Sequence, residues 1–249
     1  MITSCATIQS SPICRIFAHR GANRQAGENT RSAFDKALEY AIDGLETDVQ
    51  LTRDCVPVLW HDRFLDKFGL PELRIDEFDF DPLNRLSAGT GYELMSLQTF
   101  INLYRGRCSL NLEVKIYDRE SSQRQHSKIL LILDMVGTSC VEDVFISSSN
   151  LDWLVFARQS SACIPLFYVL DDHQTPGELE TVLREQPFLQ GFCLPISLIN
   201  PSVVKTLRDN DKSIVTYTCN NEAEILKALM LKVDILISDD PQLALHLRG

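Results

Sequence analysis

Residues 14–51 read CRIFAHRGANRQAGENTRSAFDKALEYAIDGLETDVQL, and their periodicity decides the fold. Cys14–Ala18 and Gly44–Leu51 are short apolar or β-branched runs of strand length. Between them Asn29 is placed to cap a helix whose inner face is Phe34, Ala37, Leu38 and Ala41, at spacings 0, 3, 4 and 7. The alternation continues through strand candidates Ser109–Lys115, Val144–Ser147, Ile164–Val169, Gly191–Leu194, Ser213–Tyr217 and Ile235–Ser238. Helix starts are marked by the capping box Thr175-Pro176-Gly177-Glu178 and by Asn200-Pro201 and Asp240-Pro241. The helix after the seventh strand is expected to bury Leu226, Leu229, Met230 and Val233. Eight strands, each followed by a helix, in 249 residues predict a (β/α)8 TIM barrel forming a single domain over 1–249. The glycine-rich turns of nucleotide-binding sheets are missing.

Residues 62–95 break the alternation. They hold Phe64, Phe68, Pro71, Phe78, Phe80 and Pro82 among many acids, without a sustained period. A short insertion after the second strand, capping the catalytic rim and shaping the substrate site, is expected there.

Composition narrows the partners. Hydrophobic residues make up 45% and charged ones 23%, ordinary for a soluble globular protein. A formal charge of -10 argues against nucleic acid or an anionic membrane as partner. An anionic substrate then needs local positive charge, which screening over roughly 8 Å permits. Eight cysteines are scattered without any C-x-x-C, fitting reduced thiols in a cytoplasmic protein better than disulfides or zinc. No export signal is evident at the N-terminus, and the apolar run Ile129–Leu133 is too short for stable membrane insertion. Monomer and homodimer both remain open.

In a barrel, working groups lie at the C-terminal ends of strands. His19 closes the first strand candidate. Glu46 and Asp48 share one face of the second, and Glu113 and Lys115 end the third with the same facing. His61 follows the extended run Val56–Trp60. All six can meet at one mouth. Glu46, Asp48 and Glu113 offer only oxygen ligands, suited to a hard divalent metal ion such as Mg2+ or Ca2+. His19 and His61 can exchange protons near neutrality, while Arg20 and Lys115 add the local positive charge. His126, His173 and His246 lack such company and are expected at the surface.

The series His19-Arg20-Gly21, Glu28-Asn29-Thr30, Glu46-x-Asp48, Thr52-x-Asp54, His61-Asp62, Glu113-x-Lys115 and Val233-Asp234-x-x-x-Ser238-Asp239-x-Pro241 resembles the glycerophosphodiester phosphodiesterase family. The likeness runs from about residue 13 to the C-terminus, densest in the first quarter. It implies a metal-dependent barrel cleaving small-molecule glycerophosphodiesters into glycerol 3-phosphate and an alcohol, a reaction of lipid metabolism. It also implies that Glu46, Asp48 and Glu113 bind the metal, that His19 and His61 are the acid–base pair, and that Arg20 and Lys115 contact phosphate.

Four departures fall where the alcohol would sit. Gly27 stands where the family often has proline, and Phe64-Leu65-Asp66-Lys67-Phe68 lacks the Arg-Thr-Thr common after His-Asp. Tyr217-Thr218-Cys219-Asn220 and Ser149 replace a usual tryptophan and phenylalanine. Phe64 and Tyr217 are therefore the alcohol-pocket candidates. Two other readings compete: a barrel resembling the sphingomyelinase D group, acting on choline lipids or as a lysophospholipase D, and a non-catalytic barrel binding phosphodiesters or metal.

Overall fold

The computed structural model describes residues 13–117, 120–137, 143–161 and 163–249. Its strands are β1 (Arg15–His19), β2 (Gly44–Leu51), β3 (Pro57–Leu59), β4 (Ser109–Val114), β5 (Val144–Ser148), β6 (Leu166–Val169), β7 (Gly191–Pro195), β8 (Ser213–Tyr217) and β9 (Ile235–Ser238). All but β3 pair in parallel in the order β1-β2-β4-β5-β6-β7-β8-β9, and β9 returns to β1. The ring is a closed eight-stranded (β/α)8 barrel. β3 pairs antiparallel with Val49–Leu51 of β2, beyond the residues that pair with β1.

The helices are α1 (Arg31–Ala37), α2 (Phe80–Ser87), α3 (Leu97–Tyr104), α4 (Ser122–Val136), α5 (Leu151–Ser160), α6 (Pro176–Glu185), α7 (Pro201–Asp209), α8 (Glu222–Met230) and α9 (Pro241–Arg248). Their start signals act as their chemistry requires. Thr175 and Glu178 form the reciprocal capping box of α6, while the side chains of Asn200 and Asp240 accept backbone N–H groups of α7 and α9. None of these helices is long and apolar enough to cross a membrane, among the described residues.

Two apolar layers hold the barrel. One lies between the sheet and the helices, where Phe34 meets Phe100 and Tyr104 at centroid distances of 4.7 and 5.5 Å. The other fills the inside of the ring with Phe17, Phe145 and Phe167, all buried. Gly44 and Gly191 make room for this filling. A β-carbon at either position would overlap the ring of Phe17 or Phe167 respectively.

Two local expectations need correction. Thr30, not Asn29, caps α1, its hydroxyl accepting the N–H of Ala33 at 3.2 Å. The helix ends at Ala37, so Ala41 lies beyond it and is exposed. In α8 the inward residues are Ile225 and Ala228; Leu226 is exposed and Met230 is 81% exposed. The expected Val233 is buried and Leu229 packs against the core; the helix carries apolar residues on two faces, and the buried one starts one residue earlier, at Ile225.

Residues 62–95 have no long period because they are built of short pieces. Two 3-10 turns, Asp66–Phe68 and Ile75–Glu77, precede α2. With β3 they enclose a separate apolar cluster of Val58, Trp60, Leu65, Ile75, Leu83 and Leu94. Gly27 lies against this segment. Any β-carbon there would collide with the carbonyl oxygen of Gly91, a physical reason for glycine at that position.

Candidate active site

Strand register brings the chemistry to one level. His19 is paired with Glu46 between β1 and β2, and Asp48 with Glu113 between β2 and β4. After β1 the chain turns through left-handed Arg20 (φ 57°) and Gly21 (φ 83°), which aims the Arg20 side chain back at β2. A cavity of about 270 Å³ opens there, lined by His19, Arg20, Glu46, His61, Glu113, Lys115 and Tyr217 among others. Asp48 lies behind that lining, fully buried. Phe64 lies outside it: its ring is at the surface beneath the Arg63 guanidinium, 5.7 Å away.

The three carboxylates converge. Oxygens of Glu46, Asp48 and Glu113 lie within 4.8 Å of one another. Arg20 Nε stands 3.0 Å from Asp48 Oδ2, and Lys115 Nζ 2.9 Å from Asp48 Oδ1 with a further contact to Glu113. Three acids against two fixed cations leave one acid without a cationic partner. That acid is Glu46. Oε2 accepts the Arg20 N–H at 3.1 Å, whereas buried Oε1 has no hydrogen-bond partner among the described residues. Burial, reinforced by the charge of Asp48, pushes the Glu46 carboxyl up to about 8. Burial opposes ionisation of Asp48 too, but Lys115 and Arg20 outweigh it and hold that carboxyl well below the usual range. The residues fit a divalent cation: the donors are hard oxygens, one of them idle, and the third acid ionises only where a further positive charge balances it.

Each histidine is gripped at Nδ1 by an aspartate. His19 Nδ1 is 2.6 Å from Asp239 Oδ1, and His61 Nδ1 is 2.9 Å from Asp62 Oδ1. Such a contact fixes tautomer and ring direction and turns the Nε2 edge away from the aspartate. His19 Nε2 is 3.9 Å from Glu46. Burial alone would lower the His19 pKa; the Asp239 hydrogen bond and the Glu46 charge reverse this, so it is raised. Asp239 in turn accepts the amides of Asn23 at 2.5 Å and Asn220 at 2.6 Å, and despite burial its pKa is lowered to about 2.

Several of these groups escape a reading of the sequence. Asn29, left-handed at φ 57°, donates to Asp48 Oδ2 at 2.9 Å and accepts from the Thr47 hydroxyl at 2.7 Å. Beside Thr30 it looks like a cap, and only the fold separates the two. Asp239 did carry a signal, because it follows the last barrel strand. Two of the departures, Ser149 and Tyr217, line the cavity. The Tyr217 hydroxyl is tied to the Leu170 carbonyl. His126, His173 and His246 are exposed, away from the site.

Comparison with known proteins gives the family and the fold. The profile of the glycerophosphoryl diester phosphodiesterase family matches residues 19–243. A glycerophosphodiester phosphodiesterase of Bacillus altitudinis is 26% identical over 246 residues, spanning 94% of this chain and 98% of that protein. The crystal structure of a glycerophosphodiester phosphodiesterase from Thermotoga maritima has the same fold, with a TM-score of 0.77, 23% identity and coverage of 94% and 98%. An Oleispira antarctica phosphodiesterase, solved in complex with the product sn-glycerol-3-phosphate, superposes with a TM-score of 0.81 at 24% identity, covering 94% and 96%. With the profile spanning nearly the whole barrel, this chain belongs to the glycerophosphoryl diester phosphodiesterase family.

Proposed function

We propose that this glycerophosphodiester phosphodiesterase hydrolyses small glycerophosphodiesters to glycerol 3-phosphate and an alcohol by two-histidine acid–base catalysis. The observation that carries the reading is the meeting of His19 and His61, each with its aspartate, around one cavity that Glu46 and Glu113 also line, with Asp48 behind them. Glu46, Asp48 and Glu113 would hold the divalent cation, Mg2+ or Ca2+, and the idle Glu46 oxygen supports this. When bound, the ion supplies Lewis acidity toward the phosphodiester.

The chain's own residues do the rest. One histidine takes the proton of the glycerol hydroxyl next to the phosphate, and that oxygen attacks phosphorus. The bond from phosphorus to the leaving alcohol breaks, and the other histidine protonates the departing oxygen. A cyclic phosphate remains. The roles then reverse, water adds to phosphorus, and the ring opens to glycerol 3-phosphate. Arg20 and Lys115 hold the negative charge on the phosphoryl oxygens, and Tyr217 with Ser149 borders the alcohol.

A cavity of about 270 Å³ sits just below the usual range for drug-sized ligands, roughly 300–1,000 Å³, which favours a water-soluble diester over an acylated lipid. Comparing glycerophosphocholine with lysophosphatidylcholine separates this from the lysophospholipase D reading. Both aspartate-held histidines speak against a non-catalytic barrel. Unbridged Cys14, Cys55, Cys108, Cys193 and Cys219 support the cytoplasm as its location.

Glycerol 3-phosphate release is the direct test. His19→Ala and His61→Ala should each lower turnover by roughly 10²–10⁴-fold, and exhaustive chelation should abolish it until Mg2+ or Ca2+ is restored. Full activity in either alanine variant removes that histidine from the mechanism, and full activity under chelation removes the metal.

A further inference from the structure

Lys67 lies in the first 3-10 turn of the 62–95 segment, and no step above uses it. Its ammonium is 2.6 Å from Asp62 Oδ2 and 2.7 Å from Glu28 Oε1. It also lies 5.2 Å from the Trp60 ring and 5.6 Å from the Tyr92 ring, both within cation–π range. Asp62 is the acid on His61. Glu28 accepts Arg20 Nη1 with both oxygens at 3.1 Å. Charges of alternating sign thus run without a gap from Asp48 through Arg20, Glu28, Lys67 and Asp62 to His61.

The two histidines are supported in different ways. Asp239, behind His19, is fixed by two neutral amides at the barrel mouth. Asp62, behind His61, has Lys67 as the only side chain on its second oxygen, among the described residues. The side chains of His61 and Asp62 are 34% and 33% exposed, so burial alone does not hold them. Acceptor atoms of Glu28, Asp62 and His61 lie within 4.8 Å of one another. That constellation has the form of a second cation site, and the Lys67 ammonium already occupies it. Without the ammonium, two carboxylates would face each other, and repulsion would turn Asp62 toward water and away from His61.

We propose that Lys67 is a positioning residue: it locks Asp62 onto His61 and thereby makes the packing of the 62–95 segment a condition of catalytic geometry. The proposal rests on His61 acting in proton transfer. Lys67 makes no direct ion pair with the acid trio and is not part of the cavity lining, so its effect on His61 passes through Asp62. Glu28 keeps both its contacts to Arg20 when Lys67 is removed, so phosphate binding changes less than turnover.

The test compares wild type, Lys67→Met, Lys67→Arg, Asp62→Asn and Asp62→Asn/Lys67→Met with glycerophosphocholine and saturating Mg2+. Lys67→Met keeps the stem over Trp60 and Tyr92 but removes the charge. Its kcat should fall about 10- to 100-fold, as for loss of a group orienting a functional histidine, with KM moving less than about threefold. Lys67→Arg returns a cation to both carboxylates and should restore most of the rate. The double variant should be no slower than Asp62→Asn alone, since the two changes break the same link. Thermal melting runs in parallel; if Lys67→Met melts early, Lys67→Gln replaces it with the same expectation. A wild-type kcat in the uncharged variant, a failed rescue by arginine, or additive losses in the double variant each overturns the proposal. An unchanged His61→Ala counts instead against the catalytic reading on which it stands.

Discussion

Glu46 shows most plainly what a metal would change. Its pKa of about 8 in the metal-free protein means that a proton holds the carboxyl at neutral pH. A cation must displace that proton, so apparent affinity should rise with pH, about tenfold per unit below 8, and level off above it. Calorimetric titration with Mg2+ or Ca2+ in buffers of different ionisation enthalpy should show close to one proton released near pH 7. Proton-free binding there would remove Glu46 from the ligand set. Asp48 gives no such signature, because Lys115 and Arg20 keep it ionised throughout. In the sequence, the period-two spacing of Glu46 and Asp48, and of Glu113 and Lys115, already put these groups on shared faces. Asn29, Asp239 and Lys67 were not legible as partners. Their roles depend on contacts across 19, 220 and 39 positions, which no local spacing encodes.

At the scale of elements, strands were read more accurately than helix faces. β8 and β9 fall where their apolar and β-branched runs put them, because a strand buried on both sides is mostly apolar; β2 keeps its expected bounds although Glu46, Thr47, Asp48 and Gln50 are buried in it. The expected inner face of α8 is one residue out of phase, since Leu226 and Met230 match the helical period as well as Ile225 and Ala228 do. The 62–95 segment resisted for a further reason: 3-10 turns of three residues are too short to show a period. Its docking makes a prediction at this scale. Gly27→Ala should push the Gly91 backbone outward and cost about 1–3 kcal/mol. A lower melting temperature together with faster proteolytic nicking within 62–95 would show it; wild-type behaviour in both assays would mean that the segment does not pack on Gly27.

For the molecule as a whole, the strand count sufficed to predict barrel closure, and the pairing of β1 with both β2 and β9 bears it out. The antiparallel β3 was read only as an extended run, because three residues carry no information about which neighbour they will join. The interior depends on three rings in series, with Phe145 6.0 Å from Phe17 and 4.5 Å from Phe167. Phe145→Ala should therefore destabilise the barrel by about 3–5 kcal/mol. Denaturant unfolding measures this directly, and a loss below about 1 kcal/mol would mean that the interior is not a packed core.

The same phenylalanine plug has a kinetic consequence. It stops the barrel like a bottle with a solid base, so that among the described residues the cavity opens at the end that carries the histidines. The freed alcohol and glycerol 3-phosphate must depart through the opening by which the diester arrived. Added glycerol 3-phosphate should then inhibit competitively against the diester, because a product lingering behind that opening keeps the next molecule waiting outside.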